Sequence, residues 1–300
     1  MAPGLGEHLL MDAINDPMPE GAPVGPNRGT ADGKAVELTA SAKLTVSLRV
    51  TGVRADGYHL LESEMVTLDL SDTLVIDPAG VSGLDVVPEW PGGATGWRDV
   101  DMGAVGDNLV SRALAAAGRT ANVRLVKRIP PGAGLGGGSA DAAAVLRWAG
   151  CTDLVVAARI GADVPFCLGG GRARVSGIGD EVVPLPFEDR SYLLLLPPFG
   201  VDTAAVYRAW DRLAASGRLF DGGMTSNGLE AAAVEVEPRL TEWKRTLEEA
   251  TGLPAHLAGS GSTWFVEGAC EKFGVESGAR LSLGGQHAVV VAARTTPAVG

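Results

Sequence analysis

The architecture of this chain depends on one segment, Pro130-Pro131-Gly132-Ala133-Gly134-Leu135-Gly136-Gly137-Gly138-Ser139-Ala140-Asp141. The residues before it alternate in a pattern that predicts a strand, with apolar Val123, Leu125, Val126 and Ile129 and basic Arg124, Lys127 and Arg128 between them. A run of small residues through Trp148 follows and predicts a helix. Ser139 is its expected N-cap, and Asp141 falls in the expected first turn, where a carboxylate suits the helix dipole.

A strand, a glycine loop and a helix in this order form an anion site. The loop exposes backbone N–H groups, and the helix adds the positive end of its dipole at the same point. Glycine is needed because a Cβ would block the ligand and because several positions require a positive φ. We therefore expect a phosphate group at this loop.

Three interpretations of the loop compete. A flexible linker is disfavoured because regular structure is predicted on both sides. A dinucleotide fingerprint is met by Gly132-x-Gly134-x-x-Gly137, but that match lies far from the start of the chain and no clear βαβ pattern follows it. A nucleoside triphosphate loop is the third, and it is not a Walker A loop because no Gly-Lys-Ser/Thr follows the glycines. The loop alone leaves the choice open.

Composition limits the class of protein. The chain has 300 residues, enough for one large or two ordinary domains, and 46% of them are hydrophobic. A net charge of −11 argues against nucleic-acid binding, which normally uses a basic patch. The three cysteines, Cys151, Cys167 and Cys270, form no C-x-x-C pair, so we expect reduced, buried and inert thiols in a cytoplasmic protein.

Several segments mark the limits of the expected domains. Residues 1–35 are rich in Gly, Pro, Asp and Ala without periodicity and predict a disordered extension. The segment from Pro184 to Ser191 predicts a joint between an N-terminal domain, 36–187, and a C-terminal domain, 188–300. No stretch reaches the roughly 20 apolar residues of a membrane helix, and no secretory signal is present at the N-terminus.

Candidate site residues also lie upstream of the loop. The chain alternates from Val36 to Val50, which predicts a half-buried strand with Lys43 on its polar face beside Ser41 and Thr45. Taken alone, a lysine in this position is more often solvated than catalytic. Tyr58-His59 follows an Asp-Gly turn and offers an aromatic face beside a hydrogen-bonding ring, which suits a planar base. The alternative is a tyrosine packed under the turn.

Further candidates lie on both sides of the joint. Either Asp107 or Asn108 is the expected cap of a helix that runs through Ala117. Asp163 precedes Val164-Pro165, and the restriction that proline places on Val164 predicts an extended segment there; the alternative is an aspartate that caps a helix or lies in a turn. The Gly259–Thr263 segment is either a second anion nest or a tight hairpin. The order of elements after Ser191 predicts an α+β sandwich with helices on one face of an antiparallel sheet.

The order of these motifs resembles the GHMP kinase superfamily over about residues 36–295. The resemblance is carried by Lys43 on a strand, the glycine loop, Gly161-Ala162-Asp163-Val164-Pro165-Phe166 and Gly259-Ser260-Gly261-Ser262-Thr263. Arg54-Ala55-Asp56-Gly57-Tyr58-His59 is more specific, and it resembles superfamily members whose substrate is a cytidine diphosphate sugar alcohol. The implied fold is α+β with two domains, an N-terminal one like S5 domain 2 and a C-terminal ferredoxin-like α/β sandwich.

The resemblance also implies site roles. Lys43 and Asp163 are expected to be catalytic, and Tyr58, His59 and Thr45 to bind the substrate. Asn108 is expected to line the nucleotide side, and Ser139 to offer a ligand to the Mg²⁺ that accompanies ATP. The expected ATP phosphate loop comprises Pro130, Pro131, Gly132, Ala133, Gly134, Leu135, Gly136, Gly137, Gly138, Ser139 and Ala140. A monomer or weak dimer is expected, with small-molecule partners, no nucleic acid and no membrane.

Two residues depart from the superfamily pattern. Thr45 stands where the pattern has asparagine, and Gly228 stands where it has aspartate. The segment between the loop helix and Gly161 is also short. These departures leave room for two alternatives, another GHMP kinase that acts on mevalonate derivatives or homoserine, and a GHMP-fold protein that binds nucleotide without turnover.

Overall fold

The computed structural model describes residues 33–93, 97, 108–218 and 227–299. The strands are β1 Val36–Val53, β2 His59–Asp77, β3 Gly83–Pro88, β4 Asn122–Lys127, β5 Arg172–Gly177, β6 Glu181–Leu185, β7 Ser191–Leu196, β8 His256–Leu257, β9 Trp264–Glu267, β10 Arg280–Leu283 and β11 Gln286–Arg294. The helices are α1 Leu109–Ala116, α2 Gly137–Trp148, α3 Leu154–Ile160, α4 Val164–Gly169, α5 Thr203–Ala215, α6 Glu230–Val236, α7 Arg239–Thr251 and α8 Cys270–Phe273.

The strands form two sheets. In the first, the order is β3-β4-β2-β5-β6, and β1 pairs with β2. In the second, the order is β10-β11-β7-β9-β8. The β3–β4 pair is parallel, and the other pairs among these strands are antiparallel. All but the last three residues of the predicted N-terminal extension lie outside the described residues, and the domain boundary at 187/188 stays a prediction.

Register shifts bend β1 around Lys43. Ser41 pairs with Ser71 but Lys43 pairs with Thr67, so β2 advances four residues while β1 advances two. A second shift lies between Thr45 and Ser47. Irregularities of this kind turn the strand and redirect its side chains. Lys43 still lies on the same face as Thr45, but Gly136 and Gly259 cover that face, so Lys43 is 5% exposed and not solvated.

Three apolar cores result. The first lies between the first sheet and helices α1–α4, and the second lies between the second sheet and helices α5–α7. The third joins the two sheets, and it includes Leu44 of β1, Leu194 of β7 and Phe265 of β9. Ala133 and Leu135 of the glycine loop belong to this third core. The loop is thereby anchored where the two sheets meet.

Several sequence predictions need correction here. Residues His59–Asp77 form one continuous strand, β2, and the helix after Asn227 begins at Glu230. Strands β6 and β10 were not predicted. The segment after Asp163 is helix α4 and not extended. Pro165 is the second residue of this helix, a position whose N–H would have no acceptor within the helix, so the missing N–H of proline is tolerated there. Among the described residues, no helix is long and apolar enough to cross a membrane.

Candidate active site

The glycine loop connects β4 to α2 and presents backbone toward one point. Gly132, Gly134 and Gly136 have φ of 69°, 77° and 66°, values that favour glycine. Helix α2 begins at Gly137, and Gly136 is its N-cap. The first N–H groups of a helix have no acceptor within it, so those of α2 are available to an anion.

Ser139 is not the N-cap that we predicted. It is the third residue of α2, because the glycines before it already adopt helical geometry. Its hydroxyl lies 3.7 Å from the point that a Cβ on Gly161 would occupy, which places it beside the segment that carries Asp163. Ser139 therefore faces the site from the first turn of the helix.

The Gly259–Thr263 segment closes against the glycine loop. Ser262 N–H donates to Gly132 O at 3.0 Å, and Thr263 N–H donates to Ala133 O at 3.2 Å. A Cβ on Gly134 would lie 2.0 Å from Ala258 O, so only glycine allows this approach. The segment therefore supports the phosphate loop through its backbone.

Lys43 lies at the mouth of the loop. Its backbone N–H donates to Leu135 O at 3.0 Å, and its Nζ donates to Thr45 Oγ1 at 3.0 Å. The ammonium forms an ion pair with Asp163 Oδ2 at 3.3 Å. A Cβ on Gly136 would lie 2.7 Å from Lys43 Cγ, so the loop leaves space for the lysine stem only because residue 136 is glycine.

Asp163 occupies the N-cap position of α4, but its side chain makes no capping hydrogen bond. Its carboxylate is 30% exposed and faces Lys43. One turn further along α4, burial and the Asp163 charge raise the pKa of Cys167 to about 12. Cys167 is therefore the buried, inert thiol that we expected, whereas Cys151 and Cys270 are half-buried.

Asn108 has a local structural role. Its Oδ1 accepts the Val110 N–H at 2.9 Å, which caps α1 as predicted. The next residue, Leu109, lies close to Gly138, since a Cβ on Gly138 would be 3.6 Å from Leu109 Cδ1. The α1 N-terminus is thus next to the start of α2, and a nucleotide contact by Asn108 stays a prediction.

Tyr58 and His59 lie at the turn into β2, but their environments differ. The Arg54 guanidinium lies 5.8 Å from the centroid of the Tyr58 ring, which is half-buried. The His59 ring is 11% exposed, and its Nε2 lies 2.7 Å from Asp211 Oδ1. Tyr207 is tilted against His59 at a centroid distance of 4.7 Å.

Tyr207 and Asp211 contact His59, and neither contact was predicted from the sequence. Burial and the charge of Asp163 raise the pKa of the Tyr207 hydroxyl, so this ring lies near both His59 and Asp163. Tyr207, Trp210 and Asp211 have the spacing of one helix face on α5. That spacing was the available signal, although nothing in the sequence shows that this face meets His59.

Lys127 and Asp141 are also placed differently from the prediction. Lys127 is 4% exposed, and its Nζ contacts Asp141 Oδ2 at 2.7 Å and Asp72 Oδ2. Asp141 is the fifth residue of α2, so it is buried behind the loop and does not lie in the first turn. Burial raises the pKa of Asp141 to about 7, although the Lys127 charge opposes this.

Comparisons with known proteins agree with this arrangement. Residues 108–171 match the family model described as GHMP kinases N terminal domain. A 4-diphosphocytidyl-2-C-methyl-D-erythritol kinase from Paracoccus denitrificans (strain Pd 1222) is 38% identical over 243 residues, which cover 75% of this chain and 84% of that protein. The chain belongs to this kinase family. Another member, from Pelotomaculum thermopropionicum (strain DSM 13744 / JCM 10971 / SI), is 39% identical over 263 residues, covering 77% of this chain and 88% of the relative.

Solved structures extend the comparison. A crystal structure of 4-(cytidine 5'-diphospho)-2C-methyl-D-erythritol kinase has a TM-score of 0.60 and 29% identity, and the match covers 87% of this chain and 100% of that one. The L. major mevalonate kinase has a TM-score of 0.55 at 15% identity over 90% of this chain and 99% of its own, and it shows the shared fold alone. The predicted GHMP kinase fold is confirmed.

Membership in this kinase family bears on the three interpretations of the glycine loop. The chain is a small-molecule kinase, and membership in this family implies the use of ATP. This favours the nucleoside triphosphate interpretation of the loop, which stays a prediction. The roles of the individual site residues stay predictions.

Proposed function

We propose that this protein transfers the γ-phosphoryl group of ATP to the 2-hydroxyl of 4-diphosphocytidyl-2-C-methyl-D-erythritol, a step of the non-mevalonate isoprenoid pathway. The observation that carries the proposal is the Lys43–Asp163 ion pair at the mouth of the glycine loop. Relatives that carry this kinase name and match most of the chain support the choice of substrate.

The arrangement suits phosphoryl transfer because that reaction needs positioning and charge neutralisation. Loop N–H groups and the α2 dipole hold the triphosphate, which agrees with an acidic chain whose phosphate site needs no cluster of basic side chains. Asp163 accepts the proton of the substrate hydroxyl. The hydroxyl oxygen then bonds to the γ-phosphorus, the bond from that phosphorus to the β–γ bridging oxygen breaks, and ADP leaves.

Lys43 stabilises negative charge in this scheme. Its ammonium stabilises the Asp163 carboxylate as an ion-pair partner and offsets negative charge that develops on the transferring group. Thr45, which replaces the asparagine of the superfamily pattern, accepts a hydrogen bond from Lys43 Nζ and so helps to fix its direction. The departure at position 45 therefore keeps a polar partner for the lysine.

The donor set is compatible with Mg²⁺. This ion prefers oxygen ligands and usually binds through one or two protein groups, the substrate phosphates and water. The Ser139 hydroxyl, in the first turn of α2, is such a group. When bound, Mg²⁺ would neutralise charge on the phosphate oxygens.

The cytidine end is proposed to lie at the turn into β2. Tyr58 offers a half-buried ring, while His59 and Tyr207 pack against each other beside it. The charge of Asp163 contributes to the raised pKa of the Tyr207 hydroxyl, so this aromatic group adjoins the proposed reacting centre. A base held here would extend a diphosphate and a sugar alcohol toward Asp163.

One assay tests the proposal. Purified protein is incubated with ATP, Mg²⁺ and 4-diphosphocytidyl-2-C-methyl-D-erythritol, and the products are identified by phosphorus NMR. We expect ADP and a new phosphomonoester in equal amounts. Mevalonate and homoserine serve as competing acceptors, and preferred turnover of either would replace the proposed substrate. Bound nucleotide without any phosphorylated acceptor would instead favour a binding protein.

A further inference from the structure

A small cavity lies between β1, β2, α2 and α4, under the C-terminal segment of the described chain. Its volume is about 50 Å³. The lining residues come from β1, β2, α2, α4 and that segment, and they are Thr39, Ser41, Thr67, Ala140, Arg147, Cys167, Gly170, Thr296, Pro297 and Val299. None of them is acidic, and of the residues proposed above for the kinase site only Ala140 is among them.

Arg147 supplies a cation that lacks a counterion. It lies in the last turn of α2 and is half-buried. Its Nη1 donates to Cys167 O at 2.6 Å and to Leu168 O at 3.4 Å. Burial lowers the pKa of Arg147, and within the described chain no carboxylate pairs with it. The remaining guanidinium donors are therefore available at the cavity.

Thr67 supplies an unpartnered hydroxyl. The residue is 7% exposed, and its Oγ1 is a buried atom with no hydrogen-bond partner in the described structure. A buried polar group left unpaired costs free energy, so a group of this kind calls for a partner in the cavity. Thr39, Ser41 and Thr296 add three more hydroxyls to the same lining.

Backbone pairing holds the wall that closes this cavity. Thr296 N–H donates to Thr67 O at 2.9 Å, and Val299 N–H donates to Gly169 O at 3.0 Å. Ala298 forms a β-bridge with Gly170. The C-terminal segment is thus tied to β2 and to the end of α4, which places Thr296 in the lining of the cavity.

We propose that this cavity binds a small inorganic oxyanion of the size of sulfate or phosphate. The volume has room for about three to five water molecules at roughly 10–15 Å³ each, which matches an ion of four oxygens. Arginine donates to oxyanions in a planar fork, and hydroxyl groups donate to the remaining oxygens. The anion balances the Arg147 charge and pairs the Thr67 hydroxyl. This site does not depend on the identity of the kinase substrate.

Calorimetric titration of sulfate, and separately of inorganic phosphate, tests the proposal. The glycine loop is first filled with a non-hydrolysable ATP analogue and Mg²⁺, whose binding is measured in the same instrument, and ionic strength is held constant with sodium chloride. We expect one anion to bind per chain in addition to the nucleotide. Preference for phosphate over sulfate, or the reverse, would identify which oxyanion fits.

Two variants assign the signal to the cavity. Arg147→Gln should abolish the binding, and Thr67→Val should weaken it about tenfold or more, because a hydrogen bond to a charged group is lost. Thr67→Val keeps the side-chain shape, so it remains informative if Arg147→Gln fails to fold. Absence of binding in the nucleotide-filled wild type, or equal affinity in wild type and Thr67→Val, would overturn the proposal and leave an adventitious ion only.

Discussion

Lys43 has a buried ammonium whose surroundings come from four parts of the chain. Thr45 lies on its own strand, Asp163 begins α4, Gly136 ends the loop, and a Cβ on Gly259 would lie 3.3 Å from the Lys43 Nζ. A buried cation needs an ion pair and hydrogen bonds to offset its lost hydration. This environment fixes the lysine beside Asp163 at the mouth of the glycine loop.

Asp163→Asn tests the general base. The amide keeps the shape of the side chain but cannot take the hydroxyl proton, so kcat should fall by about 10²–10⁴ while the Kd for ATP changes little. Single-turnover kinetics and nucleotide titration measure the two quantities. The matched control is Asp85→Asn, which removes an exposed carboxylate on β3 and should leave kcat and the Kd for ATP unchanged. Full turnover in Asp163→Asn would remove the base from this residue.

Tyr58→Ala tests base stacking. Loss of an aromatic ring under a base costs about 1–3 kcal/mol, so KM for the cytidyl substrate should rise about 5- to 150-fold and KM for ATP should stay near its original value. Tyr58→Phe retains the ring and is the control. A larger effect on the KM for ATP than on that for the cytidyl substrate would contradict the stacking role.

Asp211→Asn tests whether α5 orients His59. The Nε2–Oδ1 distance of 2.7 Å indicates a hydrogen bond, and the Asp211 side chain is 51% exposed, so solvent weakens the effect. We expect KM for the cytidyl substrate to rise about threefold to tenfold with kcat and KM for ATP retained. Asp189→Asn, in an exposed pair with Arg294, is the control. Unchanged kinetics in Asp211→Asn would show that His59 needs no such partner.

At the scale of elements, a buried ionic group fixes the two ends of the glycine loop. Lys127 at the end of β4 bonds to Asp141 of α2 and Asp72 of β2, and Asp72 Oδ1 accepts the Ile129 N–H at 2.8 Å. Burial opposes the Lys127 charge, but the two carboxylates raise its pKa overall. The strand before the loop is thus bound to the helix after it, which leaves the intervening glycines free to face a ligand.

The pH dependence of stability tests this ionic group through Asp141→Asn. The folded pKa of Asp141, about 7, lies above its ordinary value of 3.8, so its stabilising contribution is complete below about pH 4 and is lost as pH rises through 7. The free energy of unfolding of wild type minus that of Asp141→Asn should therefore decrease between pH 4 and pH 8, by up to about 4 kcal/mol.

Urea unfolding of both proteins at several pH values measures that difference. Taking the difference removes contributions from the other carboxylates, which are shared by the two proteins. A difference that is constant with pH, or that increases with pH, would show that Asp141 is ionised throughout this range in the folded state.

At the scale of the whole molecule, the third core connects the two sheets through the phosphate loop. Leu194 of the second sheet and Leu44 of the first are both fully buried in this core, and Leu135 of the loop belongs to the same core. Backbone hydrogen bonds from Ser262 and Thr263 to the loop add to this connection. The site therefore depends on both sheets packing together.

Leu194→Ala tests that dependence. Truncation of a fully buried leucine should lower the free energy of unfolding by about 2–5 kcal/mol, from lost burial and a residual cavity. Far-UV circular dichroism and tryptophan fluorescence should still report one coincident urea transition. Val81→Ala, at a residue 88% exposed, should stay within about 0.5 kcal/mol of wild type. Separate transitions for the two probes would show that the sheets unfold independently.

Local patterns were sufficient for much of the fold. The alternation of β1, the cap at Asn108 and the strand–loop–helix order at residues 123–148 were all predicted correctly, because each depends on residues that are near neighbours in the chain. The motif order also indicated the kinase family, and the comparisons confirm it. The helix at Val164–Gly169 was missed because proline is permitted in a first turn, which the sequence pattern could not distinguish from a break.

The chain's local chemistry therefore specified a phosphate loop with a lysine before it and an aspartate after it. Folding supplied the contacts that make them one site, the Lys43–Asp163 ion pair, the packing of Tyr207 on His59, and the burial of Lys127 and Asp141. Backbone propensity and side-chain periodicity act over a few residues, whereas these contacts join residues 14 to 148 positions apart in the numbering. Such contacts depend on the register shifts in β1 and on the closure of the two sheets, which no short segment encodes.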